Sequence, residues 1–305
     1  MPIVPVPEIE LEDADGNVYP LEYPGNNVME ASGLGMPPIE HHTTRAPYQD
    51  GRTFWSYSWQ PRVINLILFL RGCGRQGFWD GRAYNIEMLN PQNGPHKMRL
   101  SYPNGEIYEL HDGYYTSGYS LSSESGGGSW QIGDAQLVFY DPFWKWVNAP
   151  LNAGEARDTN GRSCIYTSVF ATEDWLILPF DGPFYLGVTT QTATLTVVNN
   201  GTLIAKPVIL VEGPTLDWKL TNETTRDELE WDGYEIATGE VVTLNVPDNT
   251  VTNAAGTNLS TYVEGDFRTF GLAPGSNTLT FLAYGGATAG TTTITCCWYS
   301  EVLGL

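Results

Sequence analysis

The chain has 305 residues and a formal charge of −20. Both halves are acidic, with 11 bases against 22 acids before Tyr185 and 4 against 13 after it, which argues against a surface that grips nucleic acid. The length favours two domains over one core, the 41% hydrophobic share excludes a disordered chain, and 33 Gly with 20 Pro favour strands and turns over helices.

Residues 1 to about 50 are acidic and proline-marked, with Arg45 their only base. Within them IELEDADGNVYPL predicts a hairpin around a D-G turn. The next segment starts as loop, and Tyr57, Trp59 and Val63 to Leu70 carry a strand signal. That apolar run contains Asn65 and falls far short of the ~20 residues of a membrane helix. The N-terminus is acidic where an export signal would be basic, so synthesis in a cytoplasm is expected.

RQGFWDGRAYNIEMLNP predicts the one helix, with Trp79, Ala83, Ile86 and Leu89 at helical spacing, Asp80 as a start cap and Asn90-Pro91 as the stop. KMRLSYPNGEIYEL predicts a second hairpin around Pro103, Asn104 and Gly105. Two further strands are expected on either side of a Ser/Gly loop at Ser122 to Ser129, the second ending in QLVFYDPFWKW. There the proline has no amide hydrogen and stops the ladder. Phe143, Trp144 and Trp146 then have two readings, as core rings or as contacts with a neighbouring subunit.

Asn148 to Ser163 reads as polar loop. Beyond it, short strands at intervals of about ten residues imply an antiparallel sandwich, with Asn200-Gly201 marking a turn. The fold class is therefore mainly β, and no internal repeat is evident.

No catalytic, cofactor or metal site is expected. His41-His42 diverge on a strand, and Cys73, Cys164, Cys296 and Cys297 form no C-x-x-C pair, so free buried thiols are the expectation. Ser163 and Ser168 lie in no nucleophile elbow, and Gly126 to Gly128 precede no helix or Lys-Ser/Thr. Asp80, Asp134, Asp141 and Asp232 are carboxylates whose proximity sequence alone does not show. Arg62, Arg71, Arg75, Arg82, Lys97 and Arg99 make the one base-rich stretch, read either as a solvated face or as charge complementary to an acidic neighbour.

The helix ending in LNP, the NG hairpin, the strand ending in DPFW, NNGTLIAKPVILVEGP, LTNETTRDELEWDG, EVVTLNVPDNTVTNAAGTNLS, LAPGSNTLTF and the closing LGL occur in one order. In that order, from about Phe54 to Leu305, the chain resembles the distal tail protein of long-tailed bacteriophages. The resemblance implies a belt domain over 1–185, a β-sandwich with one short helix and a β-hairpin, behind an acidic N-terminal extension. A galectin-like antiparallel β-sandwich over 186–305 is implied after it. It further implies a homohexameric ring in the virion at the tail tip. That ring would join the tail tube protein above to the hub protein below, anchor receptor-binding or side-fibre proteins, and let DNA pass without specific binding. On that basis Phe143, Trp144, Trp146, Pro103, Asn104, Gly105, Arg82 and Arg99 are candidate subunit contacts, the Asn104 hairpin by adding its edge to a neighbour. The first 50 residues and the Asn148 to Ser163 loop depart from the simplest members and leave the peripheral partners open. The alternative is a glycan-binding adhesin, a lectin-like sandwich stacking sugars on Trp218, Trp231, Tyr234 and Tyr262.

Overall fold

The structure, a computed structural model, describes residues 7–22, 26–48, 50–121, 130–171, 191–265, 267–284 and 290–305. As the composition predicts, it is mainly β, with one α-helix among the described residues. Contacts divide the chain into two units, Met1–Asn148 with Val302–Leu305, and Ala149–Glu301.

The first unit contains β1 (Glu8–Glu12), β2 (Val18–Pro20), β3 (Asn26–Ser32), β4 (Ile39–Thr44), β5 (Thr53–Trp59), β6 (Arg62–Arg71), α1 (Gly74–Met88), β7 (His96–Ser101), β8 (Ile107–Leu121), β9 (Trp130–Phe139) and β10 (Trp144–Trp146). The D-G turn forms as expected. Asp13 Oδ1 accepts from Asp15 N at 3.0 Å and Asn17 N at 2.8 Å, and Gly16 takes φ 84°. The main sheet runs β2-β1-β7-β8-β9-β6-β3, with β10 also pairing β8. Strand alternation sends Ile64, Leu66 and Leu68 of β6, Met98 and Leu100 of β7, and Leu137 and Phe139 of β9 to one face. There they form a core with Leu11, Leu110, Met88, Trp144 and Val302. The other face is mixed, with Val63, Ile67, Phe69, Ile132 and Val138 beside a polar row. Thr116 Oγ1 donates to Gln136 Oε1 at 2.7 Å, and Gln136 Nε2 donates to Asn65 Oδ1 at 2.8 Å, linking β8, β9 and β6.

The helix forms where predicted, but rotated. Phe78, Gly81, Asn85 and Met88 face inward, while Trp79, Ala83 and Ile86 face outward; of the four expected apolar positions only Leu89, at the helix end, is buried in the core. The backbone around Gly72 explains this, because a Cβ there would lie 2.2 Å from Phe78 N, so the first turn folds closely over it. Asn85 Nδ2 then donates to Asn26 Oδ1 and Tyr119 Oη, both at 3.2 Å. The helix begins before Asp80, at Gly74 after Cys73, and no side chain caps its start. Asp80 is a helical residue that accepts from Gln76 Nε2 at 2.8 Å.

The second unit contains β11 (Ala156–Arg157), β12 (Ser163–Ala171), β13 (Gln191–Asn199), β14 (Val208–Glu212), β15 (Asp217–Asn222), β16 (Glu228–Trp231), β17 (Val241–Asn245), β18 (Thr250–Asn253), β19 (Val263–Gly265), β20 (Gly275–Tyr284) and β21 (Gly290–Trp298). These form two antiparallel sheets, β11-β12-β21-β14-β17-β18 and β13-β20-β15-β16-β19. Ile209, Val211, Leu244 and Ile294 from one and Leu195, Leu220, Trp231 and Phe281 from the other share one core. The Asn200-Gly201 turn carries the chain between sheets. The buried Asn199 donates to Leu203 O at 2.7 Å and Leu272 O at 2.9 Å, and accepts from Gly201 N at 2.9 Å.

The division between units falls after Asn148, upstream of the expected boundary at Tyr185. Strand β12 is the reason, because it pairs with β21 from Ser163↔Trp298 to Ala171↔Gly290. Tyr185 itself and the Ser122 to Ser129 loop lie outside the described residues.

That register also corrects the cysteine expectation. Cys164 and Cys297 stand directly opposite, with Cα atoms 4.1 Å apart, and form a disulfide, while Cys73 is free and exposed and Cys296 is free and buried. The bond closes a sequence separation of 133 residues. Cys164→Ser with Cys297→Ser should lower the unfolding free energy of the second unit by about 2–4 kcal/mol. Denaturant melts of the oxidised chain and the variant check this, and coincident curves would refute it.

Candidate assembly surfaces

The first residue of β6 organises one end of the first unit. Arg62 is buried, and its guanidinium meets backbone oxygens rather than a carboxylate. Nε donates to Pro142 O at 2.7 Å, Nη1 to Gly33 O at 2.7 Å and to Gly35 O, and Nη2 to Leu303 O at 2.9 Å. Its Cζ lies 5.5 Å from the centroid of the Trp144 ring. Burial lowers the Arg62 pKa to about 10, which still leaves it charged at neutral pH. The approach at Gly33 is close, since φ is 91° and a Cβ would meet Val63 O at 2.0 Å.

From this root projects a hairpin that the sequence reading did not resolve. Strands β4 and β5 pair from Ile39↔Trp59 to Thr44↔Thr53, and among the described residues they pair with no other strand. On β5, Phe54 is 55%, Trp55 69% and Tyr57 55% exposed. Met36 and Tyr48 are exposed as well. A lone two-stranded ribbon is marginal in water, and clustered exposed rings mark interaction surfaces. The base is held by Gln60 N donating to Pro38 O at 2.9 Å, and by Trp59 packing edge-on to Phe143 with centroids 6.0 Å apart.

The rings of QLVFYDPFWKW divide between the two readings. Trp144 is fully buried and donates from Nε1 to Leu34 O at 3.0 Å, so it is core. Trp146 stacks on Tyr108 at 5.7 Å, and half-buried Phe143 supports the hairpin base.

The Pro103-Asn104-Gly105 turn is exposed but offers no free edge. Among the described residues strand β7 is paired with β1 and β8 with β9 and β10. Arg99 is likewise engaged within the sheet. It bonds Glu109 at 2.7 Å and approaches Glu10 at 3.7 Å and Glu12 at 3.9 Å, while Lys97 pairs with Glu12 at 2.9 Å. Burial would raise the Glu109 pKa, but hydrogen bonds from His111 and Arg99 and the charges of Lys97 and Arg99 hold it at about 2. Arg82 lies over the exposed Trp79 ring, 5.2 Å from its centroid.

In the second unit, Trp218 and Trp231 stack with planes 8° apart and are each 1% exposed, so neither offers a face to a sugar. Tyr262 and Tyr234 pack on Trp231 and on each other, and Tyr234 Oη donates to Glu240 Oε1 at 2.9 Å. A shallow depression lined by Asn249, Ser260, Gly265, Phe267, Arg268 and Thr269 lies elsewhere in this unit. Among the described residues, the one cluster with ligand atoms close enough for a metal is Asp158, Cys164 and Cys297, whose two sulfurs are bonded to each other. No described helix is long and apolar enough to cross a membrane.

A known structure shares this geometry. "Crystal Structure of SPP1 Dit (gp 19.1) Protein, a Paradigm of Hub Adsorption Apparatus in Gram-positive Infecting Phages" matches with a TM-score of 0.58 and 14% identity, covering 94% of this chain and 98% of that one. The fold is shared with SPP1 Dit. Two structures of the phage p2 baseplate in its activated conformation, with Sr and with Ca, also match. They do so at 9% identity with TM-scores of 0.44 and 0.43, covering 92% of this chain and 99% of theirs. No family model and no curated protein matches the sequence.

Two outcomes follow from the electrostatics. Arg62→Ala removes a donor from four carbonyl groups and should cost about 3 kcal/mol or more in the first unit, with faster proteolysis at 36–60, where unchanged melts would refute the anchoring role of Arg62. Because the folded pKa of Glu109 lies below its ordinary 4.5, its contribution is complete above that value and lost as pH falls towards 2. Glu109→Gln should flatten that acid limb in stability measured against pH, and a limb identical to wild type would contradict the assignment.

Proposed function

We propose that this chain is a structural component of a phage tail, not an enzyme, built to join copies of itself and neighbouring tail proteins. The observation that carries the reading is the β4–β5 hairpin. It is rooted in the core through Arg62 and Phe143, yet presents Phe54, Trp55 and Tyr57 to solvent. The fold shared with SPP1 Dit supports the same reading.

In this reading six copies form a ring at the distal end of the tail. The first unit acts as the ring-forming belt between tail tube and hub. The second unit, a galectin-like sandwich, presents the surface for receptor-binding or side-fibre proteins. The protein is made in the host cytoplasm and carried in the virion. Contacts in a six-fold ring are head-to-tail, so two different surfaces of each copy must meet. The neutral Thr116, Gln136 and Asn65 row and the charge of −20 support a channel that DNA crosses without being held.

Mass photometry and negative-stain microscopy of the full chain should show rings of six at micromolar concentration. Replacing 39–59 by a short Gly-Ser link should leave a folded monomer. A wild-type chain that stays monomeric at high concentration would overturn the ring, and rings formed without the hairpin would overturn its role.

A further inference from the structure

The chain passes from one unit to the other at Asn148–Ala149 and returns at Glu301–Val302, and the return is gripped on both sides. Within the second unit, Glu301 O accepts from Thr202 N at 2.8 Å and from Leu203 N at 3.2 Å, and Ser300 Oγ accepts from Asn200 N at 3.2 Å. Gly201 lets this turn close on the returning chain, because a Cβ there would lie 2.3 Å from Glu301 O. Within the first unit, Val302 joins the core, Leu303 O accepts from Arg62 Nη2 at 2.9 Å, and Leu305 N donates to Leu34 O at 3.4 Å. Gly304 lies against the backbone of Gly35, where a Cβ would come within 2.8 Å of Gly35 C and 3.0 Å of Met36 N.

This return is short, and its far end is the hairpin root. Glu301 and Leu303 are two residues apart, so about 7 Å of chain separates the two grips. Leu303, Gly33 and Gly35 offer their carbonyls to one guanidinium, and Leu34 O also accepts from Trp144 Nε1 at 3.0 Å. Residues 33–35 lead directly into β4. Upstream, the return continues from β21, which the Cys164–Cys297 disulfide ties to β12.

We infer that residues 301–305 are a coupling strap, through which the order of β21 in the second unit fixes the base of the β4–β5 hairpin, and whose withdrawal frees that base. A tether this short has little slack. Once Glu301 shifts by more than its length allows, Leu303 O leaves Arg62 and Gly304 leaves Gly35, and the guanidinium keeps only Gly33, Gly35 and Pro142. Presentation of Phe54, Trp55 and Tyr57 thereby depends on the state of the second unit. What this does to assembly rests on the reading above, whereas the coupling belongs to the single chain and is measured there.

Hydrogen exchange of the dilute, monomeric chain is the test. Cys164→Ser with Cys297→Ser loosens the second unit, and denaturant is raised until β21 amides exchange about tenfold faster. Amides of 34–40 and 58–62 should then also exchange about tenfold faster. Inserting Gly-Ser-Gly-Ser between Glu301 and Val302 adds about 14 Å of slack while keeping both grips. In that background the same loosening of β21 should leave 34–40 and 58–62 at their original rates. Gly304→Val reads the strap from its other end, and should raise exchange at 34–40 and 58–62 with β21 unchanged. Root amides that ignore both the loosened β21 and Gly304→Val overturn the strap, as does a rise that persists with the insertion. Either result leaves the ring reading untouched, and a wild-type chain that never forms rings leaves the strap untouched.

Discussion

A single buried cation sets the geometry of one end of the first unit. Removing a guanidinium from water is costly, and among the described residues no carboxylate offsets the cost here. Four backbone oxygens do so instead, on Gly33, Gly35, Pro142 and Leu303. Those groups lie at the root of the β4–β5 hairpin, in the turn after β9 and in the last residues of the chain, where no ladder satisfies them. One side chain therefore ties three distant segments together. This lets the hairpin project with exposed rings while its base stays fixed.

The same residue types meet opposite fates on this scaffold. Trp144, Trp218 and Trp231 are core, whereas Trp55 and Trp79 are open. Nothing in a tryptophan's own sequence position separates these cases, because burial depends on what packs from elsewhere. Trp144 is covered from Leu34 and Arg62, more than 80 residues upstream. Local chemistry was far more legible. The D-G and N-G hairpins could be read because their turn residues satisfy backbone groups within a few positions, as Asp13 and Asn104 do. The helix was legible as an element but not in its rotation. Its inward stripe of Phe78, Gly81, Asn85 and Met88 is less apolar than the stripe it leaves outside.

Long-range constraints were the least visible. β3 and β4 carry polar, exposed residues such as Asn27, Glu30, His41 and His42, and so gave no alternating signal. The unit division after Asn148 follows from β12 pairing with β21, from Ser163↔Trp298 to Ala171↔Gly290, without any shift in composition at that point. The Cys164–Cys297 bond depends on the same pairing, so no local spacing of cysteines announces it. The base-rich stretch was legible as a cluster, yet its members are used separately, with Arg62 in the core and Arg99 in an ion-pair network.

The reading of this chain as an assembly protein turns on whether the projecting hairpin is covered when copies meet. Hydrogen exchange across a dilution series reports this directly. As oligomers form, amides of Ile39–Trp59 should gain protection, while the Tyr102–Glu106 turn keeps its rate. Oligomers in which the hairpin amides exchange as fast as in the monomer would contradict it.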